Sequence, residues 1–231
     1  MKKIFLGAPG TGKGSYASRI SPKLNVPHIS TGDLFRENIK KETEIGAEAK
    51  GYMERGELVP DEVVVKMLKE RIERDDCQDG FILDGFPRTI PQAEMLSELT
   101  DMDVVINMDV PNEIIVKRLS SRISCKDCGE IYNLRDANPK EEGMCDKCQG
   151  AVVRRSDDEP EVIQNRLKTY EEKTAPLIDF YEKQGILRHV KCDSIDKPVE
   201  EMAQAVLSTI EEFAKELQEK VSDVLGLPDN E

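Results

Sequence analysis

The stretch Ile4-Phe5-Leu6-Gly7-Ala8-Pro9-Gly10-Thr11-Gly12-Lys13-Gly14-Ser15 sets an apolar run directly before a glycine-rich loop and a lysine. It reads as a buried strand, then a phosphate-cradling loop, then a helix beginning near Ser15. Through Lys13 it satisfies G-x-x-x-x-G-K. Glycines are needed because successive backbone N–H groups must curl around phosphate oxygens, in conformations that a Cβ would block. The N-terminus of the following helix adds its dipole, and Lys13 has the reach for the β and γ phosphates. The candidate phosphate-binding residues are therefore Gly10, Thr11, Gly12, Lys13, Gly14 and Ser15.

Outward from this loop, short apolar runs recur at wide intervals. They are Phe81-Ile82-Leu83, Val104-Val105-Ile106, Ile186-Leu187 and a weaker one closing at His28-Ile29-Ser30. Between them lie helically spaced stretches such as Val63, Val64, Met67, Leu68 and Ile72. Strands alternating with helices predict an α/β fold of the P-loop kind, a parallel sheet flanked by helices. Val199, Met202, Val206, Ile210, Phe213 and Leu217 predict a C-terminal helix with a core-facing stripe. Asp196 and Pro198 mark its start and Gly226-Leu227-Pro228 its end.

Acidic residues outnumber basic ones, 46 to 33, giving a net charge of −13 across 231 residues. That balance argues against general nucleic-acid binding, which needs a broad basic face. It leaves room for a few arginines to dominate the field of one cleft. No window approaches the roughly 18 apolar residues of a membrane span. The start, Met1-Lys2-Lys3, is basic, but the apolar run after it stops at Gly7, too soon for a secretion signal. A cytoplasmic protein without a membrane partner is expected.

Residues 122–158 differ in texture, with few aliphatics, several glycines and two pairs of cysteines. Cys125-x-x-Cys128 and Cys145-x-x-Cys148 have the spacing of two metal knuckles. Four thiolates suit tetrahedral Zn²⁺ and leave no open position for catalysis, so the metal is expected to be structural. Iron or cobalt fits the same ligands, and two disulfides or four free thiols are the alternative. Cys77 and Cys192 stand alone and read as small buried side chains.

The residue after the lysine is Gly14, where the general pattern places a Mg²⁺-ligating Ser or Thr. The form Gly7-x-Pro9-Gly10-x-Gly12-Lys13-Gly14-Ser15 resembles the loop of the adenylate kinases, and further strings keep that family's spacing. Ser30-Thr31-Gly32-Asp33-Leu34-Phe35-Arg36 is similar to the opening of its AMP-binding domain. Phe81-Ile82-Leu83-Asp84-Gly85-Phe86-Pro87-Arg88-Thr89 followed by Gln92 is similar to its most diagnostic string. An apolar strand there delivers Asp84 at its C-terminal end, where it can hold Mg²⁺ through water. Arg88 can fork onto phosphate and Gln92 can read an adenine edge.

The resemblance implies the remaining roles. Thr31, Arg36, Glu57, Leu58, Val59, Gly85, Phe86, Pro87, Arg88, Gln92, Arg155 and Arg166 would bind AMP. Arg118, Arg122, Ile131, Tyr132 and Lys197 would join the loop in binding ATP, Arg118 stacking on adenine. Lys13, Asp84, Arg88, Arg122, Arg155 and Arg166 would carry catalysis, with Asp157 and Asp158 at the lid hinge. Arg118 and Arg122 are read as one face of a helix running into the lid. The expected division is a core of 1–29, 60–121 and 159–231, an AMP-binding domain of 30–59 and a metal-stapled lid of 122–158.

The expected activity is reversible transfer of the ATP γ-phosphoryl group to AMP, giving two ADP, by a monomer using Mg²⁺ and a structural Zn²⁺. The nearest alternative is a kinase for UMP, CMP or GMP, against which Thr31 and Gln92 weigh. A zinc-ribbon nucleic-acid module on an inactive P-loop scaffold is the alternative of another class, and the net charge of −13 opposes it.

Overall fold

Alternation along the first strand builds the two halves of the core. In β1 (Lys2–Leu6), Ile4 and Leu6 face one side of the sheet and Phe5 the other, each within its own apolar cluster. A computed structural model of the chain describes residues 1–135 and 137–225. After β1 come α1 (Lys13–Leu24), β2 (His28–Ser30), α2 (Thr31–Lys40), α3 (Glu44–Arg55) and α4 (Asp61–Ile72). They are followed by β3 (Phe81–Asp84), α5 (Ile90–Leu99), β4 (Val104–Asp109) and α6 (Asn112–Ser120). Three short strands, β5 (Arg122–Cys125), β6 (Ile131–Asn133) and β7 (Val152–Val153), lead to α7 (Pro160–Thr169) and α8 (Pro176–Lys183). The last elements are β8 (Leu187–Lys191) and α9 (Val199–Leu225).

The main sheet runs β2-β3-β1-β4-β8, with every pairing parallel. Strands such as β3 and β4 are buried on both faces, which is why they read as unbroken apolar runs. One face is covered by α1 and α9 through Tyr16, Ala17, Ile20, Val206, Ile210 and Phe213. The other is covered by α4, α5 and α8 through Met67, Leu68, Leu96, Leu177 and Tyr181. Chain order along the sheet reverses beside β1, and α/β folds form ligand crevices outside the strand ends at such a point. The glycine-rich loop and Asp84 both lie at that edge. A separate antiparallel sheet, β6-β5-β7, lies within 122–158.

Two expectations need adjustment. The first helix begins at Lys13, ahead of Ser15, because Gly12 takes a left-handed φ of 99° and caps it. Arg118 and Arg122 do not share a helix. The helix α6 stops at Ser120, where the hydroxyls of Ser120 and Ser121 both donate to the Lys117 carbonyl, at 3.2 and 2.6 Å. Arg122 then opens β5, paired with Asn133. The C-terminal helix starts at Val199, as the Asp196 and Pro198 start signal predicts, while Gly226-Leu227-Pro228 lie outside the described residues.

The helices α2 and α3 meet at Gly46, where a Cβ would run into the backbone carbonyl of Asn38. The same corner is tied by Thr43, whose hydroxyl donates to Asn38 Oδ1 at 2.7 Å and accepts from Gly46 N–H at 3.1 Å. Gly46→Ala must force the helices apart. A loss of about 1–3 kcal/mol in chemical denaturation is expected, the usual cost of overpacking.

Candidate functional site

The glycine-rich loop owes its shape to positive φ at Gly7, Gly10 and Gly12. Gly12 has no alternative, since a Cβ there would sit 2.6 Å from the Tyr16 ring. Inside the loop Lys13 Nζ donates to the carbonyls of Gly7 and Ala8, at 2.7 and 2.8 Å. The Thr11 hydroxyl turns inward to Ala8 O at 2.9 Å, and Thr11, 1% exposed, is not among the residues that line the cavity beside the loop. Gly14 gains a structural reason here. A Cβ at that position would stand 3.2 Å from Asp84 Oδ2, and a Ser or Thr would press on that carboxylate.

Asp84 ends β3 and is 9% exposed, with His28 Nε2 3.4 Å from its Oδ2. Burial alone would raise its carboxyl, but the His28 contact and the Lys13 cation outweigh that and hold it below the usual range. Next along the chain, Arg88 Nε donates to Gly85 O at 2.7 Å. Its backbone is pinned on both sides, the N–H by Gln92 Oε1 at 2.8 Å and the carbonyl by the Thr174 hydroxyl at 2.8 Å. Thr174 ends a π-helical turn, Tyr170–Thr174, that joins α7 to α8. Such turns recur at functional sites.

More cations arrive from β5, from the stretch after β7 and from α7. Arg122 forks onto Asp158, with Nε to Oδ2 at 2.7 Å and Nη2 to Oδ1 at 2.5 Å. The Asp158 side chain is 0% exposed and also receives Arg166 Nη1 at 3.3 Å. Arg166 further pairs with Asp157 at 2.9 Å, and Arg155 Nε donates to Ser124 Oγ at 3.0 Å. Lys13, Arg88, Arg122, Arg155 and Arg166 thus line one cavity of about 270 Å³, together with Asp84. Burial and neighbouring cations depress several of them: Lys13 to about 8, Arg88 to about 10 and Arg155 to about 9. Burial also opposes the charge of Arg122, yet Asp158 more than compensates and raises it. A cavity that disfavours its own cations is built for a polyanion, whose charge relieves both the burial and the repulsion.

The other expected residues divide between this cavity and a smaller one. Gly10, Gly12, Gly14, Ser15, Arg36, Gly85, Pro87, Arg118, Ile131, Tyr132 and Lys197 line the large cavity. Arg36 is already engaged by Asp33, at 2.5 Å. Arg118 donates to Thr11 O at 3.2 Å, and Lys197 Nζ pairs with Asp193 at 2.8 Å. Thr31, Glu57, Leu58, Val59 and Gln92 line the smaller, largely apolar cavity of about 40 Å³, which shares Gly32, Leu58, Gly85 and Arg88 with the first. Thr31 donates to Gly85 O at 2.8 Å. Phe86 lines neither; it is 1% exposed and packs in the core. The sequence reading missed Tyr16, His28, Asp61 and Thr174. Only His28 carried a signal, two residues before Ser30 on the same face of β2.

Cys125, Cys128, Cys145 and Cys148 come together with all four Sγ atoms within 4.8 Å. All are free thiols, the pairs Cys125–Cys148 and Cys128–Cys145 standing 3.4 and 3.5 Å apart. A disulfide needs about 2.05 Å, whereas thiolates around a tetrahedral ion, each at about 2.3 Å, are about 3.8 Å apart. The cluster therefore fits a metal. Tyr132 bridges to it, its hydroxyl 3.3 Å from Cys145 Sγ and accepting Asp146 N–H at 2.8 Å.

Comparison with known proteins places this geometry. The sequence profile of the family described as adenylate kinase matches residues 5–186. An adenylate kinase of Archaeoglobus fulgidus is 49% identical over 215 residues, 91% of this chain and 99% of that protein. One of Agathobacter rectalis is 50% identical over 217 residues, 92% of this chain and 100% of that protein. One of Thermodesulfovibrio yellowstonii is 51% identical over 203 residues, covering 85% and 94%.

The depressed Lys13 carries a pH signature. A polyanion stabilises the charged amine, so binding above the free value of about 8 must take up a proton. Affinity for a nucleoside triphosphate should be flat below that pH and then fall, approaching about tenfold per pH unit. The unliganded protein behaves oppositely: its stability gains from Lys13 as pH rises from about 8 toward 10.5, because the unfolded chain holds that proton longer. Titration calorimetry between pH 7 and about 9.5, in buffers of different ionisation enthalpy, measures the proton uptake directly.

Proposed function

The chain belongs to the adenylate kinase family, and from that premise we propose how its residues divide the work of an ATP:AMP phosphotransferase. The observation that carries the reading is the convergence of Lys13, Arg88, Arg122, Arg155 and Arg166 on one cavity beside the glycine-rich loop. ATP lies along that loop, its triphosphate on the backbone of Gly10 to Ser15 and on Lys13, its base between Arg118, Ile131, Tyr132 and Lys197. AMP lies opposite. Its phosphate meets Arg36, Arg88, Arg155 and Arg166, and its base enters the slot formed by Thr31, Leu58, Val59 and Gln92, with Glu57, Gly85, Phe86 and Pro87 as frame.

An anionic oxygen of the AMP phosphate attacks the γ-phosphorus of ATP in line. The bond from that phosphorus to the β-phosphate oxygen breaks, and two ADP result. The attacking oxygen already carries its charge, so no strong general base is required; positioning and charge neutralisation are the catalysis. Asp84, kept ionised at the cavity wall, suits a water-mediated contact to Mg²⁺, which when bound to ATP neutralises phosphate charge.

Residues 122–158 act as a lid over the ATP side and 30–59 as the AMP-binding domain, around a core of 1–29, 60–121 and 159–231. Arg122 and Asp158 tie the two ends of the lid together. Closure brings arginines onto the phosphates and excludes water, which would otherwise compete as acceptor. Zn²⁺ is the proposed occupant of the four cysteines, with iron or cobalt compatible with the same sulfurs. All site groups come from one chain, so a monomer suffices, and six free cysteines suit a reducing cytoplasm. The partners are ATP, AMP and ADP, with no nucleic acid or membrane; no helix among the described residues is long and apolar enough to cross one.

A coupled assay of ADP formation across AMP, UMP, CMP and GMP tests the reading. AMP should lead in kcat/KM by about tenfold or more, and comparable rates with UMP or CMP would sink it. In the same assay Arg88→Lys keeps the charge but loses the planar fork. Its kcat should drop on the order of a hundredfold while the melting temperature stays near that of the parent; near-normal turnover means Arg88 has been misassigned.

Metal removal separates structure from chemistry. One metal per chain is expected, and chelation should lower the melting temperature because binding is linked to folding of the lid. Activity at moderate temperature should survive, and Cys145→Ala should imitate the chelator. An enzyme left equally stable but inactive would refute the structural role.

A further inference from the structure

Gln92 is 1% exposed, yet its amide is held from two sides by groups of opposite character. Its Oε1 accepts the Arg88 N–H at 2.8 Å, and its Nε2 donates to Asp61 Oδ1 at 2.6 Å. A backbone N–H can only donate and an ionised carboxylate can only accept. The pair therefore admits one of the two amide orientations and penalises the other at both ends. Asp61 is itself braced: it begins α4 just after Leu58 and Val59 of the base slot, and its Oδ2 accepts the Thr89 hydroxyl at 3.2 Å. Thr89 also caps the helix that carries Gln92, accepting Gln92 N–H at 3.2 Å.

An amide has two N–H donors and two carbonyl lone pairs. With one of each used, one donor and one acceptor remain for the slot that Gln92 lines. A purine offers its six-position substituent and N1 side by side. Adenine presents a donor at the amine and an acceptor at N1, while guanine presents an acceptor at O6 and a donor at N1–H. The two patterns are mirror images, so an amide in one orientation fits adenine and the flipped amide fits guanine. We infer that Asp61 is a specificity-determining positioning residue, locking the Gln92 amide in the orientation that accepts adenine and rejects guanine. This rests on the proposed placement of the AMP base beside Gln92.

The test is kcat/KM for AMP and GMP, with KM for ATP and the melting temperature, in Asp61→Asn, Asp61→Ala and Gln92→Ala. The amide that Asp61→Asn introduces can donate as well as accept, which lifts one of the two locks. The AMP-to-GMP ratio should fall about tenfold in Asp61→Asn and less in Asp61→Ala, through KM for the monophosphate. KM for ATP should stay within about twofold, since the defect is confined to the base slot. A ratio unchanged in both Asp61 variants overturns the inference, as does a parallel loss for AMP and GMP, which marks a merely structural role. Gln92→Ala keeps two failures apart. If it leaves the ratio untouched, the base does not lie beside Gln92 and the placement itself is wrong. If it abolishes the preference while both Asp61 variants keep it, only the role of Asp61 is lost.

Discussion

Repulsion among cations crowded into one cavity is the constraint around which the other features are arranged. Lys13 alone feels Arg88, Arg122 and Arg166, and burial removes the water that would screen them. Asp158 answers this from a fully buried position, holding Arg122 by two hydrogen bonds and Arg166 by a third. Removing that carboxylate would strip Arg122 of its ion pair at low exposure and leave Arg166 with Asp157 alone, a far larger loss than breaking an ordinary surface pair. Asp84 answers it at the other end, and Gly14 leaves room for its carboxylate. The residual positive excess suits a polyanion, whose charge would relieve both the burial and the repulsion.

The parts of the site that a reader of the sequence could find are those whose chemistry is local. Gly10, Gly12 and Lys13 belong to one turn, Asp84 closes one apolar strand, and each cysteine pair bites within four residues. The sheet was equally legible, because strands buried on both faces leave unbroken apolar runs. The second-layer contacts were not. Asp158 is 36 residues from Arg122, Asp61 is 31 from Gln92, and Thr174 is 86 from Arg88. No period or composition links such pairs; only the folded sheet brings them together.

The misreading of Arg122 has a different origin. A spacing of four suits one helical face, but two serines intervene whose hydroxyls compete for the carbonyl of Lys117. Ile123 and Cys125 then alternate with Arg122 and Ser124, too short a run for its period of two to be recognised. The consequence is positional: Arg122 is held by the small sheet, opposite Asn133, and not by α6.

The ion pair between Arg122 and Asp158 has a further consequence for the chain as an assembly of parts. It fastens the first and last positions of the 122–158 segment to each other, so the segment leaves and rejoins the body through a single narrow neck. Whatever lies beyond a neck is topologically a side branch. Its length, its knuckles and even the choice of staple inside it can change without shifting the register of any strand in the parallel sheet. The glycine-rich loop and Asp84 are thereby insulated from the fabric of that branch, which reaches their cavity through few side chains, Arg122 and Arg155 among them.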